Sequence, residues 1–93
     1  MALTKERIIN RVSEVSGFSK ARARQLVERT LEIMKSTLES GEDILISGFG
    51  KFVVKDKRAR RGRNPQTQEE MILRARRVVV FRTSGVLRKK LNS

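Results

Sequence analysis

The stretch Arg58-Ala59-Arg60-Arg61-Gly62-Arg63-Asn64-Pro65-Gln66-Thr67 gathers cationic side chains around the only proline of the chain. Arginine at this density cannot be packed into a core, so the segment is either solvated or laid against a polyanion. Pro65 adds one rigid apolar ring with no N–H and a fixed φ, which can enter a base step with little loss of side-chain entropy. Proline after asparagine is by itself a turn former. With arginines on its flank, it suits a protein that grips nucleic acid and pushes a wedge into it.

The charge is unevenly placed. Of a formal +12 over 93 residues, residues 1–54 hold nine basic and seven acidic side chains. Residues 55–82 hold ten basic ones (Lys55, Lys57, Arg58, Arg60, Arg61, Arg63, Arg74, Arg76, Arg77 and Arg82) against Asp56, Glu69 and Glu70. A nearly neutral body with a basic extension points to a directed polyanion site. A basic RNA-binding or ribosomal protein would share the pI of about 11.5, yet the basic segment has no aromatic to stack unpaired bases, since all four Phe lie elsewhere. An enzyme is excluded: without His, Cys, Tyr or a close carboxylate pair in an apolar setting there is no credible general base. Disulfides, the usual zinc sites and cofactors are likewise not expected. With no signal-peptide run or membrane-length apolar segment, the expected location is cytoplasmic, with no membrane partner.

Several elements must position that segment. Ile8, Ile9, Val12 and Val15 share one helical face, with Thr4 as a plausible N-cap and Gly17 as a stop. Ser19 can cap a second helix to about Glu39, ended by Gly41, whose apolar face reads Ala23, Leu26, Val27, Thr30, Leu31, Met34 and Leu38. The period then changes. Ile44-Leu45-Ile46 and Lys51-Phe52-Val53-Val54 flank the glycine turn Ser47-Gly48-Phe49-Gly50, and Arg77-Val78-Val79-Val80-Phe81-Arg82 is a third strand. Thr83 or Ser84 can cap a last helix with Val86, Leu87 and Leu91 facing inward.

These signals predict an α+β fold in one domain, residues 1–93: a helical hairpin (1–40), a three-stranded antiparallel sheet (41–54 and 77–82), a basic excursion (55–76) and a C-terminal helix (83–93). With Pro65 near its midpoint the excursion would form a two-stranded β-ribbon arm reaching about 33 Å at 3.3 Å per residue, mobile until it binds. Leu45, Phe49, Phe52, Val79 and Phe81 supply more apolar surface than one helical hairpin hides. Either they fill an ordinary monomer core, or two copies share one core and folding is inseparable from dimerisation.

Three motifs, Ser47-Gly48-Phe49-Gly50-Lys51-Phe52, Gly62-Arg63-Asn64-Pro65-Gln66-Thr67 and Ala75-Arg76-Arg77-Val78-Val79-Val80-Phe81-Arg82, resemble the bacterial HU/integration host factor family of DNA-bending proteins. The likeness covers nearly the whole chain. The opening Met1-Ala2-Leu3-Thr4-Lys5, the Gly17-Phe18-Ser19-Lys20 junction and the Ala-Arg-Arg-Val-Val run look more like integration host factor α subunits than like HU. The resemblance implies an intertwined dimer with two β-ribbon arms in the minor groove of double-stranded DNA, Pro65 being the intercalating wedge. Carried over, Arg60, Arg63, Asn64 and Gln66 would lie in or beside the groove. Arg58, Arg61, Arg74, Arg76 and Arg77 would meet phosphates along the arm and its base. Ser47, Gly48, Thr4 and Lys5 would offer backbone N–H groups to phosphate. A nucleoid-associated role in DNA organisation, recombination and transcription regulation follows, as a subunit paired with a β-type partner or as an HU-like homodimer with little sequence preference. Two positions depart from the family pattern. Gln68 stands where glycine is common, so a tip turn needing positive φ there would be strained or reshaped, and Thr83-Ser84 replace Pro-Gly or Ala-Gly.

Overall fold

The computed structural model describes residues 1–93, with the element order α1 (Lys5–Ser16), α2 (Lys20–Glu39), β1 (Ile44–Ile46), β2 (Gly50–Lys57), β3 (Arg60–Arg63), β4 (Glu70–Leu73), β5 (Arg76–Thr83) and α3 (Gly85–Leu91). It divides into two compact units, residues 1–36 and 37–93.

In the first unit the expected caps are in place. Thr4 Oγ1 accepts from Arg7 N at 3.3 Å, and Gly17 ends α1 with φ 77°. Ser19 Oγ accepts from Arg22 N at 3.2 Å at the head of α2. Between the helices, Arg24 grips Glu6 with both guanidinium nitrogens, at 2.5 and 2.9 Å. That double hydrogen bond from Arg24 holds the Glu6 carboxyl below its ordinary range and raises Arg24 in turn. Lys5 Nζ lies 3.3 Å from Glu28. The apolar contact is thin. Ile9 and Ala23 are fully buried, while Val15, expected on the same face as Ile9, is 78 % exposed. Ile8, Val12, Leu26, Val27 and Leu31 line an open apolar groove.

The second unit is built on an antiparallel sheet in the order β1-β2-β5. The turn after β1 closes through Phe49 N to Ile46 O at 3.0 Å, with Gly48 at φ 79°, a backbone value that favours glycine at the third turn position. Gly50 is buried beneath the Phe81 ring, and Phe81 also meets Phe49 and Phe52, with centroids 5.2 and 4.9 Å away. Ser84, not Thr83, caps α3, accepting from Leu87 N at 3.0 Å. The inward set expected for α3 reduces to Leu87, since Val86 and Leu91 are exposed.

The basic excursion differs from one continuous ribbon starting at residue 55. β2 and β5 stay paired as far as Lys57 and Arg76, then residues 58–59 and 74–75 leave the ladder, and β3 and β4 form a separate two-stranded sheet. The register is preserved across the break: Lys57 opposes Arg76 and Arg60 opposes Leu73, so two residues are passed over on each strand. Two Arg-Ala-Arg tripeptides, 58–60 and 74–76, mark the interruption. Beyond it, half-buried Leu73 leans over Gly62, where a Cβ would sit 3.4 Å from Leu73 Cδ1.

Candidate nucleic-acid interface

Paired residues of an antiparallel ladder share a face, and successive residues alternate between faces. On one face of β2 and β5, Lys51, Val53, Lys55 and Lys57 therefore stand opposite Arg82, Val80, Val78 and Arg76. Cations oppose cations at Lys51–Arg82 and Lys57–Arg76. Such pairs repel across a ladder, and the one carboxylate nearby is Asp43, 3.8 Å from Lys51 Nζ. The face therefore carries an excess of positive charge that attracts anions. Of its five cations, only Arg76 is among the contact residues expected from sequence. Lys55, Lys57 and Arg82 belong to the basic extension expected from sequence but were assigned no contact, and Lys51 was left with the neutral body. The odd–odd and even–even spacing on two facing strands is the signal that groups the four.

The other face carries Phe52 with Phe81, Val54 with Val79, and Asp56 with Arg77. Phe49, Phe52, Val79 and Phe81 thus gather as expected, but Leu45 does not join them. It pairs with Lys51 at the centre of a three-residue strand, so alternation turns it to the cationic face, where it is 73 % exposed. Ile44 and Ile46, paired with Phe52 and Gly50, take its place. Arg77 also differs from its basic neighbours. Its Nε donates to Asp56 Oδ1 at 2.8 Å and its Nη1 to the Glu39 carbonyl at 2.7 Å.

At the edge of the cationic face, Ser47, Gly48, Lys51 and Arg82 line one shallow recess. The chain itself makes no hydrogen bond to the Ser47 or Gly48 amide. One lysine and one arginine thus share the recess with two N–H groups that the chain leaves unbonded, the donor types that suit a phosphate. In the helical unit, Thr4 caps α1 and Lys5 is already paired with Glu28.

On the arm, Arg61 and Arg63 share one face with Ile72 and Glu70, whereas Arg60 lies on the other with Leu73, Gly62 and Met71. Arg58 and Arg74 sit in the interruption, outside either ladder. The tip comprises residues 64–69. Asn64 holds it three times: its N donates to Glu69 O at 2.9 Å, its O accepts from Gln68 N at 2.8 Å, and its Oδ1 accepts from Gln66 N at 2.9 Å. This latch puts Pro65 on the β3 side of the loop rather than at its centre, with the ring exposed beside the exposed Arg63 and Gln66. Gln68 has φ 62°, the only non-glycine residue at positive φ. No acidic cluster is placed to hold a metal ion, and no helix is long and apolar enough to cross a membrane.

Comparison with known proteins follows the same lines. The sequence model of a family described as bacterial DNA-binding protein matches residues 3–92. The integration host factor subunit alpha of Anaeromyxobacter sp. (strain K) is 54% identical over 90 residues, covering 97% of this chain and 80% of the relative. That of Glaesserella parasuis is 47% identical over 93 residues, covering 100% and 95%. Among solved structures, an Anabaena HU–DNA cocrystal superposes with TM-score 0.81 at 32% identity, covering 95% of this chain and 96% of that one. An HU variant from Thermotoga maritima gives 0.68 at 25% identity, covering 95% and 97%.

Proposed function

The chain belongs to the bacterial DNA-binding family of HU and integration host factor proteins, a non-enzymatic architectural group, and we propose that it bends duplex DNA by inserting Pro65 into the minor groove. The observation that carries this reading is the tip itself. Asn64 satisfies the turn by bonding Gln66, Gln68 and Glu69, which leaves the Pro65 ring exposed and apolar next to the exposed Arg63. Unstacking a base step costs a few kcal/mol, offset by the phosphate contacts that a bent duplex allows. Arg60, Arg63 and Gln66 would flank the wedge in the groove. Asn64 would contribute there through its amide NH2, its carbonyl being held by Gln66. Arg58, Arg61, Arg74 and Arg76 would meet phosphates, joined by Lys51, Lys55, Lys57, Arg82 and the Ser47–Gly48 amides, with the Thr4–Lys5 turn as a further contact.

A second subunit completes the protein in this reading. Ile9 and Ala23 are the only fully buried apolar side chains, and both the helical groove and the aromatic face of the sheet are open. The identities near 50 % with α subunits favour a partner of β type. The fit to an HU–DNA cocrystal supports the second reading, a homodimer with little site preference. In either form the protein would act on the nucleoid in the cytoplasm, in DNA condensation, recombination and transcription regulation.

The test is Pro65→Ala, which leaves every charge in place. Energy transfer between duplex ends should show a marked loss of bending, with a smaller loss of binding at low salt. Wild-type bending by the variant would reduce Pro65 to a turn residue.

A further inference from the structure

Gln68 is held in the left-handed backbone region, at φ 62°, a cost to any side-chain-bearing residue that glycine does not bear. Its amide N donates to Asn64 O at 2.8 Å, so the tip turn fixes that conformation. The side chain is exposed and folds back toward the wedge, with Nε2 3.5 Å from Pro65 O. Residues kept in strained backbone at a binding element point to a use for the side chain. Here the consequence is geometric: a carboxamide is carried on the β4 side of the tip and returned beside Pro65.

We propose that Gln68 is a specificity-determining residue, reading the minor-groove edge of the base pairs next to the step that Pro65 opens. This rests on the wedge reading above. The minor groove offers A N3 and T O2 as acceptors at every pair, while G·C adds the guanine N2 amino group. A carboxamide donates to the acceptors through Nε2. Presented through Nε2, the atom turned toward Pro65, the amide meets the guanine amino group donor against donor, so Gln68 favours pairs lacking it. Presentation of Oε1 would reverse the order. The 3.5 Å approach to Pro65 O is too long to hold the amide strongly, and the group can be handed to a base edge.

Inosine separates this from major-groove readout, because an I·C pair keeps the major-groove edge of G·C and lacks only the minor-groove amino group. Comparing the Gln68 variants on the same duplexes separates it from the softer stacking that the lost base-pair hydrogen bond brings. The intact protein is titrated by fluorescence anisotropy against equal-length duplexes of A·T, I·C and G·C pairs, alongside Gln68→Gly and Gln68→Ala. Wild type should prefer I·C over G·C. Both variants should lose about fivefold in affinity for A·T and I·C duplexes and should bind I·C and G·C alike, the scale of one base-edge contact. Gly relieves the backbone cost and Ala keeps it, so a change seen with Gly alone reports chain freedom and overturns the proposal. Equal or tighter binding by both variants, with the I·C preference unchanged, overturns it too. Pro65→Ala run in parallel keeps the two readings apart. Intact bending there sinks the wedge. Lost bending there, with the I·C preference unchanged in both Gln68 variants, sinks only the role of Gln68.

Discussion

Asp56 and Arg77 face each other across β2 and β5, and the guanidinium that bonds Asp56 at 2.8 Å also reaches the Glu39 carbonyl at 2.7 Å. Arg76, one residue earlier, points to the opposite face and stands against Lys57. Adjacent arginines therefore do different work. Arg77→Ala should lower the urea midpoint by an amount equivalent to about 1–2 kcal/mol, because the Glu39 carbonyl and Asp56 lose a charged donor. Arg76→Ala should leave the midpoint unchanged or raise it, while weakening DNA binding. Equal stability losses in both would contradict the division of roles.

With so little of its apolar surface covered, the chain should melt at a temperature that rises with protein concentration. Sedimentation should give a dimer at micromolar concentration, alone or on addition of a β-type subunit. A monomer with concentration-independent melting would leave Phe49 and Phe81 exposed to water and would remove the shared core.

DNA affinity should fall steeply with salt. If a dimer neutralises on the order of eight phosphates, log K against log salt should have a slope of about −7. Lys51→Ala and Arg82→Ala, at facing positions beside the Ser47–Gly48 amides, should each make the slope shallower by about 1 to 2, two copies being present. A wild-type slope near −2 would mean that the arms and the cationic face are not engaged.

Gly50 admits nothing larger. A Cβ there would lie 2.5 Å from both the Arg82 carbonyl oxygen and Phe81 Cζ, and a backbone carbonyl in a ladder cannot retreat. Gly50→Ala should cost about 1–3 kcal/mol by denaturant melting. Gly62→Ala, whose new methyl would meet only side-chain atoms, Leu73 Cδ1 at 3.4 Å and Met71 Cγ at 4.0 Å, should cost less. The reverse order would mean that the arm ladder is the tighter of the two.

Much of this was legible beforehand because the signals were local. Thr4, Gly17, Ser19 and Gly41 punctuate the helices by their own hydrogen bonding and backbone freedom, and the strand runs are dense in β-branched residues. What was not legible depends on register. Which of Leu45 and Ile46 belongs with Phe52, and whether Arg76 or Arg77 joins Lys57, is decided by parity. For Leu45 and Ile46 that parity follows from the Ser47–Phe49 turn, and for Arg76 and Arg77 from the six-residue tip that Asn64 latches. The same latch moved Pro65 off the midpoint that symmetry suggested. The strain at Gln68, by contrast, could be anticipated, since a single side chain occupied a position that the turn reserves for positive φ.

The uninterrupted register through the Arg-Ala-Arg break makes the reach of the arm a quantised property. Removing one residue from one strand would rotate everything beyond it by half a turn, sending Arg61 and Arg63 to the side now held by Gly62. Only matched pairs of residues on both strands could be lost or gained without that inversion. The span between body and wedge can therefore change only in steps of about 6.6 Å, so an arm suited to a different bend would have to arise by coordinated edits rather than gradual drift.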